Sequence, residues 1–193
     1  MEDIINEYVL AFDELNTLSA DLISELDGID DMTEKIDKAK DDILSFLISS
    51  YLLGHEHSTR MLNASAEVNR DAMYNAIFLV IAGENFEDRI ATHLQSGDMT
   101  ALQKLIEDEY HRDYCAGAED AAKDISKRYT VFKTWLTMED NKVRDTHWFL
   151  QSMSVGINEK FVTYDGDSAY KPGGFERAEN NCGCRCILMY SRL

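Results

Sequence analysis

Cys182, Cys184 and Cys186 alternate with Gly183 and Arg185 near the end of this 193-residue chain. On an extended strand, alternate side chains share a face and stand about 6.6 Å apart for every two residues. Sulfurs held parallel at that separation do not easily meet disulfide geometry. A bend at Gly183, which glycine permits, lets three thiols converge on a metal instead. Zinc takes a fourth ligand, and His147, upstream on the stripe Val143–His147–Leu150, is the nearest good candidate. Two other readings stand beside this one. The cysteines suit small buried hydrophobes, and a disulfide forms in an oxidised sample. A lone histidine on an apolar stripe equally suits a packed, hydrogen-bonded core position.

Other candidates are less specific. His55-Glu56-His57 has the look of a metal pair, but the expected position is a helix junction with both imidazoles in water. Glu107-Asp108-Glu109 and the pair Asp140 and Asp145 offer neighbouring carboxylates, with no nucleophile or phosphate cradle beside them in sequence. The chain contains no GxSxG, no P-loop and no GxGxxG. No spacing argues for Ser–His–Asp chemistry, so no catalytic constellation is identified and the expectation is a protein that is not an enzyme.

The elements that must position these residues follow from periodicity. Ile4, Tyr8, Phe12, Leu15, Leu18, Leu22 and Leu26 recur at steps of three and four, which predicts a helix ended by Asp27-Gly28. Asp31 and Glu34 form a capping box for a second helix, carrying Ile36, Ala39, Ile43, Leu47 and Tyr51 and closed by Gly54. A third helix is expected from Ser58 to Ala82, a short one from Asn85 to Gly97, and another from Thr100 toward Ala122. Beyond Ile125 the texture changes. Tyr129, Val131, Phe132, Trp135 and Leu136 predict a strand, and Thr137 is placed as the cap of a helix over Asp140–Leu150. Ile157–Tyr164 and Cys184–Tyr190 predict two more strands, with a tight turn at Lys171-Pro172-Gly173-Gly174. The expected class is α+β: an acidic helical hairpin over 1–57, a helical body over 58–124 and a small strand–helix–strand module over 125–193.

Composition bounds the function. Apolar residues make up 45% and charged residues 28%, which excludes wholesale disorder. Uncharged stretches such as Ile43–Gly54 and Ala72–Gly83 are far shorter than the roughly 20 residues a bilayer span needs, so no membrane partner is expected. Met1-Glu2-Asp3 lacks the start of a signal peptide, and four cysteines then point to a reducing compartment. The net charge is −17, and the acids concentrate toward the N-terminus: residues 1–57 carry net −12 and residues 125–193 net +2. Such a surface repels phosphate backbones, so at most weak DNA binding is expected. The one local basic cluster is Lys127, Arg128 and Lys133, beside Tyr129 and Phe132.

From Phe86 to Tyr190 the chain resembles the phage Mu protein F-like family of minor head or head-morphogenesis proteins of tailed bacteriophages. The resemblance rests on pieces in order. They are Glu84–Ile90 ending in Arg-Ile, and Glu109 and Arg112 before Ala116-Gly117. Lys133–Thr137 with Trp135 then precedes Asp140, Val143, Arg144 and His147, and Pro172-Gly173 and Asn181 lead to Cys184-Arg185-Cys186. The chain departs from the pattern at Cys182-Gly183, where a glycine stands directly before the first cysteine of the motif. The resemblance implies a structural protein of the phage head, in contact with portal, capsid or scaffold proteins and located in the virion. It implies motif positions of structural weight at Trp135, Asp140, Arg144, His147 and Arg185. Modules of this kind also occur fused to toxin domains, so an enzyme is one alternative, and a cytosolic metal-binding adaptor is another.

Overall fold

The computed structural model describes residues 2–193. Five longer helices come first: α1 (Glu2–Asp27), α2 (Met32–Leu62), α3 (Arg70–Ile77), α4 (Phe86–Ser96) and α5 (Met99–Ser126). A small mixed module follows, made of β1 (Val131–Leu136), α6 (Asp145–Trp148), β2 (Ser154–Gly156), β3 (Phe161–Val162), β4 (Ser168–Ala169) and β5 (Ile187–Arg192). The class is α+β, as the periodicity predicts. β1 is the centre of a three-stranded antiparallel sheet in the order β2-β1-β5, and β3 and β4 form a separate antiparallel pair.

Local chemistry sets most helix starts. Asp31, Asn69, Asn85 and Asp98 each accept a hydrogen bond from the backbone N–H three residues on, satisfying a donor that the first turn leaves open. Gly97 ends α4 at a φ of +74°, a left-handed position that suits glycine.

Gly54 behaves otherwise than expected. It does not close α2, which continues past residue 57 to Leu62 and is ended by Asn63 in the left-handed region. Gly54 and Gly117 are instead where α2 and α5 touch backbone to backbone. A β-carbon on Gly54 would lie 2.0 Å from the Tyr114 carbonyl oxygen, and one on Gly117 would lie 1.9 Å from that of Tyr51. Beside the crossing, the Ser50 hydroxyl donates to the Tyr110 carbonyl at 2.5 Å. Because α2 runs on, His55 and His57 are buried rather than in water. His57 meets the Tyr114 hydroxyl at 3.0 Å and Glu7 at 3.0 Å, and burial lowers its basicity. The helix expected over Ser58–Ala82 is in fact the end of α2, a loop and the short α3.

The apolar interior falls into clusters, two of which join helices to the module. One cluster joins Leu15, Leu22, Leu47, Ile90, Leu102 and Ile106 across α1, α2, α4 and α5. Another gathers Leu62, Ala118, Ala122 and Ile125 with Trp135, Leu150, Phe161 and Phe175 of the module. On β1 the burial alternates, and the inward residues are Val131, Lys133 and Trp135. Lys133 is therefore no part of a surface basic cluster. Its ammonium donates to the Tyr170 carbonyl at 2.8 Å and lies over the Tyr170 and Phe161 rings, and burial pulls it down to about 8. Lys127 pairs with Asp124, and Arg128 pairs with Asp124 and the Ser65 carbonyl.

The module is more irregular than its sequence suggests. Residues 140–144 are not helical, and the expected Asp140–Leu150 helix reduces to the single turn of α6. Thr137 accepts from Glu139 N–H rather than capping that helix. Ile157–Tyr164 contributes only the two residues of β3, and the last strand lies over Ile187–Arg192.

The helix crossing gives a direct test. Gly117→Ala forces carbon into a backbone carbonyl that cannot retract, so the loss should reach or exceed the 1–3 kcal/mol common for overpacking, roughly. Gly28→Ala meets only the Glu25 carbonyl at 3.4 Å and should shift stability by less than about 0.5 kcal/mol. Urea unfolding of the two variants checks the contrast, and equal midpoints would contradict the close crossing.

Candidate metal centre

A turn before β5 sorts the three cysteines. Gly183 has a φ of +66°, and its N–H donates to Asp108 Oδ1 of α5 at 2.8 Å. Arg144 donates to the Cys182 carbonyl on the other side. The chain therefore reverses at Gly183, leaving the Cys182 side chain exposed and turning those of Cys184 and Cys186 inward. His147, on α6, faces both: its Nδ1 lies 3.6 Å from the Cys184 sulfur and 3.4 Å from that of Cys186. The donor atoms of these three buried residues all fall within 4.8 Å of one another. Tetrahedral bonds of roughly 2.3 Å to sulfur and 2.0–2.1 Å to nitrogen put those atoms about 3.5 Å apart. The two nitrogen–sulfur separations match, so the cluster is able to hold a metal ion. Cys182 stands outside it.

Aromatic groups fix the imidazole. The Phe175 ring stacks on it at 5.4 Å, and the Trp135 ring meets it edge-on at 5.5 Å. The Trp135 indole N–H faces the Cys186 sulfur without closing a regular hydrogen bond. The hydrogen bond from Cys186 holds the Cys184 thiol well below the usual thiol range; burial opposes this, and His111 and His147 add to it. The same bond, with burial, pushes Cys186 up.

The charged motif residues brace the loop that carries the cysteines. Arg185 pairs with both carboxylate oxygens of Asp140 at 2.8 Å. The helical Asp140–Arg144 pair suggested by their spacing does not form, because residues 140–144 are not helical. Asp167, which the sequence did not single out, accepts from Glu176 N–H, Arg177 N–H and the Asn180 side chain. Asn180 in turn accepts from Thr146 of α6 at 3.0 Å. An Asp five residues before a Pro-Gly turn was the only signal available for it.

A second polar cluster lies on α5. Glu109 accepts from Arg89 at 3.0 Å and pairs with Arg112 at 2.5 Å, and Arg112 also donates to the Ala76 carbonyl at 2.9 Å, near the end of α3. Arg89, Glu109 and Arg112 line a cavity of about 210 Å³ together with His111 and Cys182. Glu107 and Asp108 meet Lys104 instead. Asp113 is fully buried beside Arg112; burial raises its carboxyl to about 7 against the pull of the guanidinium, with Glu109 adding to the rise.

The class defined by this arrangement is a helical body tied to a small α+β module through buried polar contacts and a His–Cys–Cys cluster. Over 114 residues the chain is 27% identical to a protein of Bacillus phage SPP1, its minor head protein GP7. The match covers 58% of this chain and 37% of the length of that protein. No protein-family model and no solved structure matches the chain. The likeness supports a structural role in a phage head. Among the described residues, no helix is long and apolar enough to cross a membrane.

Two measurements test the site's surroundings. Of the four thiols only Cys182 is exposed, so a thiol reagent under native, reducing-agent-free conditions should label one cysteine quickly and the other three only on unfolding. Fast labelling of two or more would contradict the buried cluster. For Asp113 the folded state keeps its proton between about 3.8 and about 7, so its favourable contribution is complete below that window and lost as pH rises through it. Asp113→Asn should therefore gain on the wild type from pH 4.5 to pH 8, by roughly 1–4 kcal/mol at about 1.4 kcal/mol per pKa unit. A difference independent of pH would show that Asp113 titrates normally.

Proposed function

We propose that this chain is a structural minor head protein of a tailed phage or prophage, of the Mu F-like kind, acting in head assembly next to the portal. The observation that carries the reading is the similarity to the minor head protein GP7. The ordered motif from Glu84 to Cys186 supports it, and in the structure those residues brace elements against one another. Arg185 clamps Asp140, Arg144 holds the Cys182 carbonyl, and Trp135 and His147 pack together. These are the roles of a rigid assembly component. Its partners are portal, capsid or scaffold proteins, and its place is the virion. The acidic first 57 residues face those partners, while DNA contact stays weak because the basic residues near β1 are paired or buried.

In this reading the buried cluster is structural as well: His147, Cys184 and Cys186 hold a zinc ion that fixes the end of the chain on the body. Mass spectrometry of purified particles from the phage or prophage encoding the chain tests the head role. The protein should be found in heads at low copy, and deleting its gene should lower the yield of infectious particles. Its absence from particles, with normal assembly after deletion, would overturn the assignment.

A further inference from the structure

We propose that the cavity between α4, α5 and the loop leading to Cys182 binds a small organic monocarboxylate, its carboxylate held by Arg89 and Arg112 and its hydrocarbon body by the apolar walls. The inference goes beyond the head role and does not depend on the zinc reading.

Arg89, Glu109 and Arg112 stand apart among the motif pieces of the sequence and meet at this cavity, whose volume is about 210 Å³. That is the space of roughly seven waters at about 30 Å³ each, or of one compact acid. Leu105, Glu109 and Arg112 are its buried lining, and Ile81, Ala178 and Cys182 are exposed.

The two guanidiniums are only partly engaged. Arg89 donates from Nη1 to Glu109 at 3.0 Å, and its Nη2 has no partner among the described residues. Arg112 meets Glu109, Asp113 and the Ala76 carbonyl through Nη2 alone. Its Nε and Nη1 have no partner among the described residues, although the side chain is only 9% exposed. Charged donors held away from water without an acceptor are costly, and native structures rarely leave them so. A carboxylate matches a guanidinium in both charge and hydrogen-bonding geometry.

Charge and lining narrow the ligand further. Asp108, also at the cavity, is held by Lys104 at 3.0 Å, and His111 turns its ring nitrogens to Tyr8 and Cys115. Asp113 beside Arg112 keeps its proton up to about 7, so below that pH Glu109 alone opposes the two guanidiniums and a positive excess remains. That excess suits a monoanion, whereas a phosphate dianion would crowd Glu109 and Asp108. Ile81, Leu105, Gly173 and Ala178 add apolar surface without side-chain donors, which calls for a short hydrocarbon body on the ligand. Apolar walls with a few convergent polar groups are the usual make of small-molecule sites.

The test uses the full chain at pH 6.5, with isovalerate, its neutral amide and inorganic phosphate as probes. Calorimetry should find one isovalerate site per chain, half-saturated at about 1 mM or below, a level that roughly seven ligand atoms can support. The amide and phosphate should bind at least about tenfold more weakly, the usual scale of a lost charged hydrogen bond. Because the exposed Cys182 lines the cavity, saturating isovalerate should slow the addition of its thiol across the double bond of N-ethylmaleimide several-fold, which locates the ligand. Arg89→Gln and Arg112→Gln should each weaken isovalerate at least about tenfold while the far-UV circular dichroism stays that of the wild type. The peptide Gly-Gly-Leu with a free C-terminus, set against its amide, separates two sources of the same chemistry: binding of the acid alone admits a protein chain end, and its exclusion leaves a free small acid as the ligand. No saturable binding of isovalerate, equal binding of its amide, tighter binding of phosphate, or binding that leaves Cys182 fully reactive would each overturn the proposal. Should Arg112→Gln fail to fold, Arg89→Gln at its half-buried position decides, and an unchanged affinity there sinks the site.

Discussion

Gly54 and Gly117 let α2 and α5 meet with no side chain between them, and most of the molecule takes its position from that contact. Each glycine receives the carbonyl of a tyrosine that stands three residues before the other glycine. The crossing is thereby fixed in both translation and rotation, because a shift along either helix drives a carbonyl into a β-carbon. Once it is fixed, the faces of α5 are fixed too. Tyr114 points to His57, His111 to Tyr8, and Asp108 to the Gly183 amide. The last contact is the one that turns the cysteine loop. A half-buried residue of a helix thus decides which thiols are buried about 75 positions later in the chain.

The starts of α2 and α4 and the end of α4 were legible in the sequence because their cause is local. Asp31, Asn85 and Gly97 act through bonds within a few residues, and spacing alone reveals them. Gly54 was not legible. A glycine that ends a helix and one that admits a second helix look alike until the partner is known. A helix ending at Gly54 would leave His55 and His57 in water and free the following residues for a helix of their own, whereas α2 runs to Leu62 and buries both. Lys133 hid for a similar reason. Strand alternation does put it on the face of Val131 and Trp135, but lysine on an inward face is credible only once the Tyr170 carbonyl is there to receive it.

The candidate site was half legible. Alternation brought Cys184, Cys186 and His147 to notice, and the structure gathers these three. The bend expected at Gly183 is present, but it turns Cys182 outward instead of bringing it to the other two thiols. The Asp140–Arg144 spacing suggested a pair that requires a helix, and that segment is a loop, so Arg185 takes the carboxylate instead.

Short strands leave the module little of its own to specify a single arrangement, and buried polar ties fill that need. β3 and β4 are two residues each, and β2 is three. Ladders of that length do not set register over loops as long as 170–186. Asp167 gathers the loop's amides, Glu119 on α5 takes Lys171 at 2.8 Å and Lys123 at 2.9 Å, and Lys133 holds the Tyr170 carbonyl. Burying such groups adds little net stability, because desolvation offsets most of the attraction. Its effect is on the alternatives: any slipped arrangement leaves a charge buried without a partner, at several kcal/mol each, roughly. Such discrimination suits the proposed head role, in which a fixed surface matters more than a larger apolar core. Of these ties the one made by Glu119 reaches α5, the helix whose position the glycine crossing already determines, and so anchors the loop to the body.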